Sequence, residues 1–385
     1  MRFAVDAHAI GRHQTGNEVY IRSLIKEFAA QARGCEWVAY ISTDSAKAAI
    51  PANIQTRLVS ANPFRRLGVD LAQRLREDRP DLLHVQYTAP VGCAIPIVVS
   101  VHDVSFLEHP EYFTPDRALQ LRWTVRRTVR RAVRVLTGCE FSKQAILRAY
   151  PDLDEGKVVV APYAAAPEFR SLPREAAQAA VMQRFSLSGP FVLNVGDLHP
   201  RKNQIGLIRA FAQLVKAHPQ IKHTLALAGK DTWFAGKVRD AARESGVMDR
   251  IRFLGFVTDD DLLRLYNACD LFVFPSFYEG FGLPALEAMA CGRAVVCSSA
   301  SALPEVVDGA AILTDPAAEE EMVRAMADVL LDAELRTRME RLGLRRAAHF
   351  NWHDTARRTL AVFRDVAERA VAAVETVASP SMARR

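Results

Sequence analysis

The chain has 385 residues, half of them hydrophobic and 24% charged, with a formal net charge of +6. At about 150 residues per domain this length points to two or three domains, with two the first expectation, and the composition excludes a disordered or collagen-like chain. Asp6, His8 and His13 interrupt the only apolar stretch near the start, and no small-residue cleavage site follows a basic leader, which speaks against a secretory signal.

Short apolar runs alternate with amphipathic stretches, the pattern of parallel sheets covered by helices on both faces. In the first half, strands are predicted near 2–8, 36–42, 55–60, 82–85, 96–101, 133–137 and 157–160, and helices near 17–31, 67–78, 116–132 and 141–149. The longest uncharged run, Leu82 to His102, is long enough to cross a bilayer but contains His84, Gln86, Pro90 and Pro96, so it reads as two buried strands and a loop. Residues 1–180 hold 24 Lys+Arg against 19 Asp+Glu, while the rest hold 26 against 25, so the excess charge lies in the first half. Much of it sits between Arg117 and Arg134, where Arg122, Arg126, Arg127, Arg130, Arg131 and Arg134 are predicted on one side of a helix and Leu121, Val125, Val129 and Ala132 on the other. Such a face suits either solvent or anionic lipid.

A second series follows the Pro- and Ala-rich stretch from Pro162 to Pro173, with strands near 191–195, 224–228, 251–254, 271–274, 294–297 and 311–313 and helices near 203–217, 234–245, 259–267, 283–290, 317–331 and 333–348. A helix over about 352–374 comes after this sheet is complete and is expected to pack back, and Ser379 to Arg385 read as a frayed basic end. The expected fold is therefore α/β, with two doubly wound Rossmann-like domains, 1–170 and 171–350, facing a central cleft, and a returning segment, 351–385. Six cysteines (Cys35, Cys93, Cys139, Cys269, Cys291, Cys297) lie in apolar or strand-like surroundings and away from metal-ligand spacing, so neither a zinc site nor a disulfide framework is read and a reducing cytoplasm fits.

Ligands of such folds bind beyond the carboxyl ends of the strands, at helix N-termini. Three loops there carry groups suited to a nucleotide diphosphate. Gly11 to Gly16 lead into a helix near Asn17, giving backbone N–H groups at a positive dipole end, though Thr15, Gly16 and Asn17 are equally ordinary helix-start residues. In Asn194 to Asn203, Arg201 and Lys202 stand together at a helix start, where cations are unfavourable unless an anion lies between them. In Phe274 to Met289, a buried strand ends, Gly280 and Gly282 allow close approach of a ligand, and Pro284 opens a helix. The amides of Phe281, Gly282 and Leu283 are expected to face an anion, and Glu279 and Glu287 to meet different parts of one ligand, a carboxylate being suited to a ribose or sugar diol. Asp152 and Asp154 read as a turn and Asp259 to Asp261 as a helix start, so no metal is expected. Phe256, after the third strand of the second series, is placed to frame a base, without distinguishing guanine, uracil or adenine.

On these residues, with Thr15 to Tyr20, Val101 to Leu107, His109-Pro110-Glu111 and above all Glu279 to Glu287, nearly the whole chain resembles the retaining GT-B glycosyltransferases of the family-4 group, which includes bacterial mannosyltransferases. The resemblance implies that Arg201 and Lys202 bind the donor diphosphate, that Glu287 binds the ribose, that Glu279 sits by the transferred sugar, and that His102 contacts that sugar near the reacting carbon. It further implies metal-independent front-face displacement through an oxocarbenium-like transition state, with no cofactor beyond a GDP- or UDP-linked sugar as co-substrate. Mannose from GDP-mannose is the donor it suggests, and a glycan or lipid-linked acceptor is the partner, which would hold the protein at the inner face of a membrane through the arginine helix. Two departures stand out: Asn17 and Glu18 follow Gly16 where many relatives have paired glycines, and Pro162-Tyr163-Ala164 stands where relatives often have Asn-Gly. A nucleotide-sugar epimerase on the same fold and a noncatalytic nucleotide-binding module are the alternatives. A nicotinamide enzyme lacks its G-x-G-x-x-G after either first strand, and no nucleic-acid partner is expected, since the arginine helix has only Trp123 among its cations.

Overall fold

The computed structural model describes residues 1–12, 15–32 and 34–378, so His13 and the basic end read at Ser379 to Arg385 lie outside the described residues. The chain divides into two compact units: 1–138, 142–163 and 352–385 form one, and 139–141 with 164–351 the other.

In the first unit β1 (Arg2–Asp6), β2 (Glu36–Ile41), β3 (Gln55–Leu58), β4 (Leu82–Gln86), β5 (Ile97–Ser100), β6 (Arg134–Thr137) and β7 (Val158–Val160) form one parallel sheet in the order β3-β2-β1-β4-β5-β6-β7. β4 and β5 are buried along their whole length, as strands covered on both faces must be, and this is why their sequences run apolar rather than alternating. Helices α1 (Thr15–Gln31), α2 (Leu71–Asp78), α3 (Pro115–Arg131) and α4 (Glu140–Ala149) cover it. The predicted helix at 67–78 is partly a π segment, Arg66–Asp70, which passes into α2.

The second unit repeats the plan with β8 (Phe191–Val195), β9 (Thr224–Ala228), β10 (Ile251–Gly255), β11 (Leu271–Phe274), β12 (Val295–Ser298) and β13 (Ile312–Thr314), parallel and in the order β10-β9-β8-β11-β12-β13. Its helices are α5 (Arg174–Phe185), α6 (Gln204–Ala217), α7 (Ala235–Glu244), α8 (Asp259–Ala268), α9 (Leu283–Ala290), α10 (Glu319–Leu331) and α11 (Ala333–Ala347). α5 was not anticipated, because it buries only Ala177 and Val181 and so leaves little apolar period to read. α12 (Trp352–Ala378) then returns to the first unit, where Phe363 is fully buried against Phe3, Phe28 and Trp37 at ring separations of 5.7, 5.6 and 6.4 Å.

Two expectations are corrected. The stretch from Ala164 to Arg170, assigned to the first domain with a boundary at 170, belongs to the second unit, where the Asn267 side-chain amide donates to Arg170 O, the Leu172 amide donates to Asn267 Oδ1, and Phe169 packs on Tyr266. Arg134 does not extend the arginine face: α3 ends at Arg131, Arg134 opens β6, and its guanidinium pairs with Asp365 of α12 at 3.0 Å. The apolar side of α3 is as read, with Val125 and Val129 buried.

Two predictions follow from this packing. A Cβ added at Gly229 (φ +157°) would lie 2.0 Å from the carbonyl oxygen of Gly196, where the ends of β8 and β9 meet. Gly229→Ala should therefore cost about 3 kcal/mol or more in urea unfolding; a variant as stable as the parent would disprove the close approach. His84, fully buried with Nε2 bonded to Ser100 Oγ at 2.8 Å, is pushed down to about 3 by burial. Its neutral form is favoured in the folded chain, so stability should fall as pH drops below about 6.5 towards 3, with this ring contributing up to about 1.4 kcal/mol per pH unit. His84→Gln should flatten the pH dependence of unfolding over that window.

Candidate active site

At the end of β8 the chain passes through Gly196 to His199 into a single 3-10 turn, Pro200–Lys202, and only then into α6, whose N-cap is Asn203 with its side chain accepting from the Gly206 amide. Arg201 and Lys202 thus stand ahead of the helix rather than in its first turn. At the end of β11 the segment from Pro275 to Gly282 leads into α9, and the Phe277 amide donates to Arg201 O at 2.8 Å, tying the two strand ends together. That link carries Glu279 to both cations: Arg201 Nη1 lies 2.7 Å from Glu279 Oε2 and Lys202 Nζ 2.6 Å from Oε1.

The sequence argument required an anion between Arg201 and Lys202, and the protein supplies one itself. Burial alone would raise the Glu279 carboxyl, but the charges of Arg201 and Lys202 outweigh it and hold the group down to about 2. The carboxylate therefore stays ionised at any working pH, and its contribution to stability is lost only as pH falls from about 4.5 towards 2. Lys202 is lowered, mainly by burial, against the attraction of Glu279. The charge of Asp197 also acts on Lys202, so the two cations are balanced by carboxylates in a buried setting, where an incoming anion would interact with them far more strongly than in water.

Beyond Glu279, Gly282 adopts φ +99°, and a Cβ there would lie 2.5 Å from Leu303 Cδ2, so only glycine allows this turn into α9. The amides of Gly282 and Leu283 have no acceptor among the described residues, leaving donors at the positive end of α9. Glu287 sits one turn further on and is buried, with Oε2 accepting from the Tyr266 hydroxyl at 3.0 Å. Phe281 is also buried, whereas Phe256 is half exposed past the end of β10, with Lys230 Nζ 5.2 Å from its ring centre. Arg201, Lys202, Glu279, Phe281, Gly282, Leu283, Glu287 and Phe256 all belong to the second unit.

Gly16, Asn17 and His102 belong to the first. Gly16 and Asn17 lie in the opening turn of α1, but several amides of the preceding loop are committed: Ile10 to Ala7 O, Arg12 to Ala9 O and Gly11 to the Glu18 carboxylate at 2.9 Å. Glu18 thus takes one of the donors the loop was expected to offer a phosphate. His102 is held on both sides. Gln86 Oε1 can only accept, so Nε2–H donates to it at 2.7 Å and Nδ1 accepts from the Tyr163 hydroxyl at 2.7 Å. Burial, with a smaller contribution from His84, pushes the ring down to about 3, so it is neutral and both its nitrogens are occupied. A hydrogen bond from either ring nitrogen to a ligand would require release of Gln86 or Tyr163.

Several residues were not singled out from the sequence. Ser301 Oγ accepts from the Glu279 amide at 2.9 Å, Tyr266 orients Glu287, and Asp197 Oδ1 accepts from the Lys230 amide at 3.0 Å. His199, 2 residues before Arg201, is lowered to about 4 by burial and by Arg201 and Lys202. Lys230 was legible in principle, since Ala228-Gly229-Lys230 repeats the plan of strand end, glycine and cation, but nothing local marks Ser301 or Tyr266. In the first unit, Asp6 is buried beside His8 and Arg66, whose charges hold its carboxyl low against the effect of burial.

Among known proteins, residues 15–168 match the family model Glycosyltransferase Family 4 and residues 182–346 the model Glycosyl transferases group 1. O-antigen chain mannosyltransferase B of Escherichia coli is 33% identical over 269 residues, covering 69% of this chain and 70% of that protein. A serotype-specific mannosyltransferase WbdA of Escherichia coli is 35% identical over 210 residues, 54% of this chain but only 26% of that longer protein. In fold, the chain is similar to sucrose-phosphate synthase from Thermosynechococcus elongatus (TM-score 0.76, 19% identity, 95% of this chain and 99% of that one) and to Anabaena HepE in complex with UDP and glucose (TM-score 0.76, 21% identity, 94% and 99%). The chain accordingly belongs to glycosyltransferase family 4, as a glycosyltransferase of the GT-B fold with two Rossmann-like units.

Proposed function

We propose that the protein moves mannose from GDP-mannose to a glycan or lipid-linked acceptor with retained anomeric configuration, in the manner of enzymes that build polysaccharides. The observation that carries this reading is the buried cluster of Arg201, Lys202 and Glu279 beside the acceptor-free amides of Gly282 and Leu283. In the reaction the bond between the anomeric carbon and the diphosphate oxygen breaks, and negative charge grows on that oxygen. Arg201 and Lys202 meet this charge and so supply what a metal would otherwise supply. The acceptor hydroxyl attacks on the same face as the departing group, and the leaving oxygen takes its proton. Glu279 lies beside the transferred sugar and stabilises the oxocarbenium-like centre, Glu287 accepts from the ribose diol, and Phe256 with Lys230 frames the base. His102 acts as a neutral ring near the sugar. Mannose is supported by the two Escherichia coli relatives, both named mannosyltransferases, and a nucleotide diphosphate by the complexes of HepE with UDP and with UDP-glucose. Acceptors of the lipid-linked kind lie at a membrane; no helix among the described residues is long and apolar enough to cross one, and α3 offers a basic face for a peripheral contact.

Two measurements test the reading. In a thermal-shift panel of GDP, UDP and ADP sugars, GDP-mannose should raise the melting temperature most; a larger shift with a UDP sugar would replace the donor, and none at all would remove the site. Donor incubated without acceptor should give no epimer. Arg201→Ala and Lys202→Ala should each lower transfer by about 10²-fold or more. Glu279→Gln should behave differently. It leaves two buried cations unpaired at a cost of about 3–5 kcal/mol, so it should melt lower than the parent, bind GDP more tightly and still transfer poorly. Weaker GDP binding in that variant would show that the carboxylate does not compete with the diphosphate.

A further inference from the structure

On the first unit, α3, α4 and the turns after β5 and α4 enclose a groove of about 1020 Å³ whose lining includes none of the residues placed at the donor site. Its apolar side includes Phe106, Leu107, Phe113 and Leu153. The carboxylates that line it are all engaged: Glu108 with Arg148 at 3.3 Å, Asp152 with Arg130 at 2.9 Å, Glu111 with His109 at 3.1 Å, and Asp154 as the cap that accepts from the Gly156 amide. Arg122 and Arg126, one turn apart on α3, also line it, and neither has a hydrogen bond or a carboxylate partner among the described residues. Like charges at this spacing repel. Tyr150, in the same lining, is more than nine-tenths buried, yet its hydroxyl has no partner. Leu119, on the turn before Arg122 and Arg126, is well exposed, as is Trp123.

Two unpaired cations, a buried hydroxyl without a partner and an adjoining apolar wall together fit one chemistry, an anionic amphiphile. We propose that this groove seats the phosphate headgroup of an anionic membrane lipid: Arg122 and Arg126 grip the phosphate oxygens, Tyr150 donates its hydroxyl hydrogen, and the first methylenes lie along Leu119 and the apolar wall. The inference rests on reading α3 as the membrane-facing helix and sharpens it from a diffuse basic face to a pocket for a single headgroup. Arg127 does not belong to the pocket, because its guanidinium is spent on the carbonyls of Ala89 and Pro90.

The test uses the full chain carrying Trp233→Phe, which leaves Trp123 as the exposed tryptophan, titrated with short-chain phosphatidic acid below its micelle concentration. Quenching by a brominated form of that lipid should report binding at Trp123. Arg122→Ala with Arg126→Ala should weaken binding about tenfold or more, and Tyr150→Phe about fivefold, with unchanged melting temperatures. Arg117→Ala with Arg131→Ala, which removes two cations of the same helix that do not line the groove, should change it by less than about twofold. Equal losses from the two arginine pairs would overturn the pocket in favour of diffuse surface charge. Inorganic phosphate binding as tightly as the lipid would overturn the amphiphile. Lys202→Ala should abolish transfer and leave lipid binding intact, so a failed donor site and a failed lipid groove remain distinguishable.

Discussion

The second unit depends on one buried electrostatic arrangement, the grip of Arg201 and Lys202 on the carboxylate of Glu279. Removing three charged groups from water is costly, and their mutual attraction offsets that cost only because each makes a short, well-directed contact. Backbone contacts hold those contacts in place. The Phe277 amide docks on Arg201 O, Ser301 anchors the Glu279 amide, and the positive φ of Gly282 turns the chain into α9. The cluster thus holds its two cations in fixed positions, with Glu279 between them and the charge of Asp197 also acting on Lys202.

The first unit solves a related problem in the opposite way. At the ends of its central strands it keeps polar side chains buried but neutral, with Tyr20 and His84 sharing the Ser100 hydroxyl and His102 fixed between Gln86 and Tyr163. Burial pushes both histidines far below their ordinary range, outweighing the opposing charge of Asp6 on His84 and aided at His102 by His84. A neutral, doubly bonded imidazole is rigid and does not carry a proton at working pH. This suits a group that shapes a sugar site, whereas the charged cluster of the second unit suits one that receives a phosphate. Tyr163 is the residue that completes the His102 contact, and its ring would collide with any Cβ at Gly138.

Charge on the surface of the first unit is likewise sorted by pairing. Arg127 is held by the carbonyls of Ala89 and Pro90, and Arg130, Arg134 and Arg148 by carboxylates, whereas Arg122 and Arg126 lie without a carboxylate partner among the described residues, beside an apolar groove.

The order of strands and helices, the apolar runs of fully covered parallel strands, and the cluster of glycines and charged residues in the loops at strand ends are local signals, and for that reason the sequence alone determined the doubly wound architecture and named Arg201, Lys202, Glu279 and Glu287. It could not determine which anion lies between the two cations, because Glu279 follows them by 77 residues and reaches them only when β8 and β11 become neighbours in the sheet. For the same reason Tyr266 and Ser301 escaped notice, and Tyr163 was read without its bond to His102: each acts through a hydrogen bond to a residue distant in sequence, with no spacing to mark it. Arg134 was counted on the arginine face although the apolar pattern already put it in the strand near 133–137; what the sequence could not give was its partner, Asp365, 231 residues away. Local periodicity fixes which elements form; tertiary contact fixes which charges find partners, and it is the unpaired ones that remain for a ligand.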